Sequence, residues 1–185
     1  MRHERIGVLL LRAFPSFYRR LRSKLYALVL DANNLKLGRN VTLSGTKNIR
    51  LGSNVLIGNQ CWLDAIEQGK IIISDDVSMS QNVHIAAKLH VKLGRGCLIG
   101  SDVLITDHNH SYGSEMSHVA PKMRGLTIKG DTVIGDNCWL GDNVKILSGV
   151  HLGDNVIVAA NSVVTKSFPS NCIVGGIPAN LIKVQ

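Results

Sequence analysis

Aromatic side chains are scarce in this chain. Two Trp, three Tyr and three Phe make up 4% of its 185 residues. A core therefore cannot rest on large rings and must be built from small aliphatic side chains. The hydrophobic share of 45% fits a soluble globular protein, and the length suffices for one domain with a sizeable core. Long apolar runs are also missing from the N-terminal segment. Its "IGVLLL" is too short to span a membrane, and the small-residue cleavage site of a secretory signal is absent. Cysteine occurs four times without a CxxC pair, so neither a zinc motif nor a redox motif is supported. Free thiols fit a reducing cytoplasm, which is the expected location.

Acidic residues are few as well, 13 against 21 basic ones, for a net charge of +8. The excess is local. Residues 1–24 hold seven basic residues against Glu4, a net of +6 out of the +8. The body is nearly neutral and does not read as a nucleic-acid binder. The basic segment is predicted to hold a helix from Ser16 to Ala32, with Phe17, Leu21, Leu25 and Leu28 at spacings of three and four. Ser16 is placed to cap it, and Pro15 to interrupt anything upstream. Two readings stand: a helix packed over the end of the body, or a basic amphipathic helix resting through residues 1–30 on the inner face of a membrane. One helix can do both. The boundary between this segment and the body is set at 36/37.

What the body has in abundance is a period of six. Ile128, Ile134, Leu140, Ile146, Leu152, Val158 and Val164 fall in one register. Four residues after each of the first six stand Thr132, Cys138, Val144, Val150, Val156 and Ser162, all small or β-branched. Shorter runs precede them: Leu37–Leu43–Ile49, Leu51–Ile57–Leu63, Ile73–Met79–Ile85 and Leu93–Ile99–Ile105. "GDN" occurs at 135, 141 and 153, and Gly and Asn tolerate the left-handed backbone of tight corners. A period of six is not helical. It suits a two- or three-residue strand followed by a turn, stacked into a solenoid in which no single repeat buries its own core. Cys61, Cys97 and Cys138 occupy the small inward position and read as core thiols. Alternation turns Trp139, His84 and His151 outward.

The repeat breaks between Ile105 and Ile128, where "DHNHSYGSEMSHVAPKMRG" stands. A long excursion from a rigid scaffold is usually functional or disordered. It holds His108 and His110, either able to serve as a general base near neutral pH. Asp107 and Glu115 are candidate supports. Neighbours in sequence often point apart, so a direct Asp107–His108 bond is not assumed.

These repeats, the "DHNHSYG" segment and the tail "VVTKSFPSNCIVGGIPANLIK" resemble the hexapeptide-repeat acyltransferases, in the group that modifies galactosides, maltose and xenobiotics. The likeness is greatest to O-acetyltransferases of bacterial surface polysaccharides. The resemblance covers about residues 37–185. It implies an all-β solenoid, a left-handed parallel β-helix of triangular section, with an extended loop over 106–127. It also implies homotrimers with active sites between subunits, acetyl-CoA as donor, no metal, and a sugar or polysaccharide precursor as acceptor. On the family pattern His108 is the base, with His110 the second candidate. Trp139 and His84 then line the acceptor side. Gly141, Ala159, Ala160, Thr165 and Lys166 match positions along the coenzyme. Asn180 stands where some members carry a basic residue, and Lys183 is close by. Other readings of the same frame are a structural β-helix without catalysis, an acyltransferase for a small non-sugar acceptor, and a zinc carbonic anhydrase. The last needs His ligands converging from successive coils; His90 stands ~18 residues before His108, but no further His continues that interval.

Overall fold

The computed structural model describes the backbone from residue 6 and the side chains from residue 17 onward. A helix, Ile6–Val29, leads into a parallel β-solenoid. Its strands stack into three sheets that form the sides of a prism. The first face is eight-stranded, built on Lys36–Leu37, Leu56–Ile57, Ser78–Met79, Leu98–Ile99, Trp139–Leu140 and Ile157–Val158, and closed by Cys172–Gly176 and Ala179–Val184. The second face has six strands, from Thr42–Ser44 through Trp62–Ala65, His84–Ala87 and Leu104–Thr106 to Lys145–Ile146 and Val163–Val164. The third has five, from Ile49–Leu51 to His151–Leu152. Every pairing within the prism is parallel until the last strand folds back antiparallel.

Strands this short hold together only by stacking. Inward positions such as Ile57, Met79, Ile99, Leu140 and Val158 form one fully buried column. Cys61, Cys97, Cys138 and Cys172 are buried free thiols within the same core. Burial pushes the Cys61 thiol above its ordinary value, which suits a core filler and not a nucleophile.

The corners explain both the regularity and its breaks. From first to second face the inward step is always six: Leu37 to Leu43, Ile57 to Leu63, Met79 to Ile85, Ile99 to Ile105, Leu140 to Ile146, Val158 to Val164. From third to first it is also six, as in Leu51 to Ile57 and Leu152 to Val158. Both corners place one residue in the left-handed region, and in all but one coil it is Asn, Asp or Gln; Asn137, Asn143 and Asn155 of the three "GDN" tripeptides are among them. Their amides stack between coils, Asn143 Nδ2 donating to Asn161 Oδ1 at 2.9 Å and Asn155 Nδ2 to Asn171 Oδ1 at 3.0 Å. Asn thus supplies the turn. Gly supplies close approach: a Cβ at Gly141 would stand 2.6 Å from the backbone nitrogen of Ala160. All variation in length falls at the remaining corner, between second and third faces.

Two expectations are corrected. Ile128 does not continue the core column. It is 38% exposed and pairs antiparallel with His108 in a two-stranded arm, His108–His110 against Leu126–Ile128. The coil resumes only at Thr132, which pairs with Val91. The helix is not capped at Ser16 or stopped at Pro15: it runs through both and ends at Val29. Proline removes one main-chain donor from a helix interior but leaves the neighbouring turns to carry it.

The helix meets the first coil through its last turns. The buried Ser23 hydroxyl accepts the Leu37 N–H at 3.0 Å and donates to the Arg19 carbonyl at 2.9 Å. The Arg22 guanidinium donates to the Gly38 carbonyl. Ala27 and Leu30 pack on the core. The apolar residues Phe17, Leu21, Leu25 and Leu28 lie off this contact and are exposed.

Candidate active site

The variable corner is where the chemistry gathers. Thr106 is the last residue of its strand on the second face, and the chain then leaves the coil. Asp107 is fully buried there. One carboxylate oxygen accepts the N–H of Lys88 at 2.8 Å, and the other accepts those of Leu89 and His90, each at 2.7 Å. Those three donors belong to the same corner one coil earlier, where the main chain turns and its N–H groups lack strand partners. Ser148, one coil later, donates to the Asp107 carbonyl. Asp107 is thereby tied into three successive coils.

His108 sits directly on this anchor. Its Nδ1 lies 2.9 Å from Asp107 Oδ1 and 3.1 Å from Thr106 Oγ1. The pair that alternation argued against is therefore a direct contact. At Asp107 the chain stops being a strand of the second face, and His108 starts a new strand in the arm, so alternation across one sheet no longer applies. An ionised carboxylate only accepts, so in the neutral imidazole Nδ1 is the donor and Nε2 keeps its lone pair. The side chain of His108 is 12% exposed, held rigidly but open at one edge.

His110 is exposed farther along the arm, opposite Leu126. Among the described residues its side chain has no hydrogen-bond partner. Glu115 does not orient His108. It lies exposed in the short turn Ser114–Met116, where the Ser114 hydroxyl meets it at 3.5 Å.

His84 is outward on the second face as expected, but it is not bare. Its ring lies parallel to the Trp62 indole, 3° apart with centroids at 4.3 Å. Trp62, His84 and Leu104 form one outward row, with Asp64, Ala86 and Thr106 the next row toward His108. Trp62 was not singled out from sequence, although the same signal marks it: "CWL" occurs at 61–63 as well as at 138–140. Burial pushes the His84 imidazole below its ordinary value of 6.5, Asp64 opposing and His108 reinforcing the shift. As pH falls through that value, the unfolded chain takes up the proton before the folded chain does. Stability held above the unfolded value is thus lost on acidification. Denaturant midpoints at several pH values should show a shallower acid-side fall for His84→Gln than for the native chain.

The other candidates are spread. Trp139 stands half exposed on the first face, between Leu98 and Ile157, so one chain does not bring it to His108. Gly141, Ala159 and Ala160 lie at the corner between first and second faces. Extending the register Ile105–Ile146–Val164 sets Thr165 and Lys166 on the His108 corner, two coils on. Lys166 Nζ donates to Asn180 Oδ1 at 3.0 Å, so the tail position flagged above meets this lysine. Lys183 pairs with Ile173 on the first face. Among the described residues no group of three or more His, Cys, Asp or Glu converges as metal ligands.

Comparison with known proteins gives this geometry a family. The model for the bacterial transferase hexapeptide (six repeats) matches residues 131–166. A protein of Escherichia coli K12 whose name, WbbJ, is assigned to O-acetyl transfer in lipopolysaccharide biosynthesis is 43% identical over 141 residues, 74% of this chain and 71% of its own. The galactoside O-acetyltransferase of the same organism is 27% identical over 80% of this chain and 62% of its own. Among solved structures, the N-acyltransferase AntD of Bacillus cereus, in complex with dTDP and 3-hydroxybutyryl-CoA, superimposes with a TM-score of 0.73 at 18% identity, over 83% of this chain and 81% of that one. The repeats, the solenoid they form and the WbbJ relationship together show that the chain belongs to the hexapeptide-repeat acyltransferases.

Proposed function

We propose that the protein transfers an acetyl group from acetyl-CoA to a hydroxyl of a sugar, in the building of a surface polysaccharide, with His108 as general base. The observation that carries this reading is the Asp107–His108 contact at 2.9 Å, which leaves Nε2 free at the open edge of a rigid corner. An alcohol is a weak nucleophile at neutral pH. His108 Nε2 takes the hydroxyl proton as oxygen attacks the thioester carbonyl; the C–O bond forms, the C–S bond breaks, and the proton passes to the departing thiolate. Relatives assigned to lipopolysaccharide and galactoside acetylation support a sugar acceptor.

Trp62 and His84 offer the acceptor a flat apolar and polar wall beside His108. Gly141, Ala159 and Ala160 leave the backbone open to an extended donor arm, and Thr165 and Lys166 lie on the His108 corner, with Lys166 supplying positive charge for phosphate. Leu98 and Trp139 form an exposed apolar pair on the first face. A homotrimer would cover it and bring Trp139 to a neighbour's His108. Thiol release from acetyl-CoA, with and without a panel of nucleotide sugars and oligosaccharides, tests the function. Acceptor-dependent release with an acetyl mass gain on the sugar supports it, and acceptor-independent or absent release counts against it. Trp62→Ala should raise KM for the sugar up to ~10-fold and leave KM for acetyl-CoA unchanged, as steady-state kinetics on each substrate will show.

A further inference from the structure

We propose that the outward face of the N-terminal helix docks the protein on an anionic lipid surface. Phe17 and Leu28 are 68% and 81% exposed, with Leu21, Leu25 and Val29 beside them. An apolar stripe of this kind on a soluble body needs a cover. The solenoid does not fill it: the helix meets the first coil through Ser23, Ala27 and Leu30, and the stripe beside that contact stays exposed. A groove opens between helix and body, lined by Phe17, Arg20, Leu21, Lys24, Leu28 and Leu56. Helical spacing sets Arg20 and Lys24 along one edge of the stripe, and both are exposed, as is Arg19.

The charge identifies the cover. Residues 1–24 carry a net of +6, and the rest of the chain only +2. The sequence continues the stripe's spacing upstream through Ile6, Leu10 and Phe14. An apolar stripe edged by cations is the pattern of a helix lying in a membrane interface: the apolar side chains enter the acyl boundary and the cations meet lipid phosphates. No helix among the described residues is long and apolar enough to cross a membrane, so the contact is one of lying on the surface. A second copy of this helix would bring the same cations together and is disfavoured as the cover.

The full chain should cosediment with vesicles of phosphatidylcholine and phosphatidylglycerol, bind phosphatidylcholine alone far more weakly, and release in high salt. Replacing Arg19, Arg20 and Lys24 together by Gln should weaken partitioning ~100-fold. Replacing Phe17, Leu21 and Leu25 by Gln should weaken it at least ~10-fold. The cation variant alters only exposed side chains and keeps the test open should the apolar variant misfold. Failure of the native chain to bind, or equal binding by the cation variant, overturns the proposal. So does a fall in native mass by light scattering in the apolar variant, which would make the stripe an interface between copies. Vesicle binding is read without any acetyl transfer, so its outcome is independent of the catalytic proposal.

Discussion

In the His108→Ala variant, turnover falls by ~100-fold or more, while the solenoid and the affinity for coenzyme A are kept. The reasoning is local. The His108 side chain is not part of the core column, and the arm that carries it stands off the prism. Its removal leaves Asp107 with its three N–H donors from residues 88–90. What disappears is the one lone pair placed to take a proton. Residual transfer then relies on binding both substrates side by side. Steady-state thiol release together with equilibrium binding of coenzyme A checks both halves.

Asp107 should be more damaging still, because it serves structure and chemistry at once. Asp107→Ala strips acceptors from three part-buried main-chain donors, at a cost of about 3 kcal/mol. For a chain of this size that lowers the melting temperature by roughly 10 °C. Asp107→Asn separates the roles. The amide keeps the size and one acceptor oxygen, so more of the corner survives. It no longer offers a carboxylate to the imidazole, and an amide that can present either its oxygen or its NH2 no longer enforces the proton on Nδ1. Turnover should drop by ~100-fold or more with KM for acetyl-CoA unchanged, in a protein that still melts cooperatively. Thermal melts and kinetics on the two variants check this.

The hexad was legible because two corners of the prism never vary. Each takes six residues from one inward side chain to the next, and each needs an Asn-like residue in the left-handed region. The third corner carries no such constraint, so its insertions shift the register by arbitrary amounts. Ile128 matched the period by chance of spacing, and only the pairing with His108 removes it from the core. The same corner hid the Asp107–His108 contact, since a rule for one strand was applied where two strands meet. Trp62 was hidden differently. The alternation that turned Trp139 outward applies to it equally, but nothing in the chain says that it and His84 lie one coil apart on the face next to His108. For the helix, spacing told which residues share a side. Whether that side meets protein or lipid depends on where the helix docks, and Ser23 and Arg22 decide that.

The sequence left two histidines of one motif as rivals, and the structure separates them by the partner at Nδ1. Acetyl transfer to an accepted sugar, measured side by side for the native chain, His108→Ala and His110→Ala, tests that separation most directly. The account predicts near-native turnover for His110→Ala and a loss of ~100-fold or more for His108→Ala. Near-native turnover for His108→Ala would contradict it.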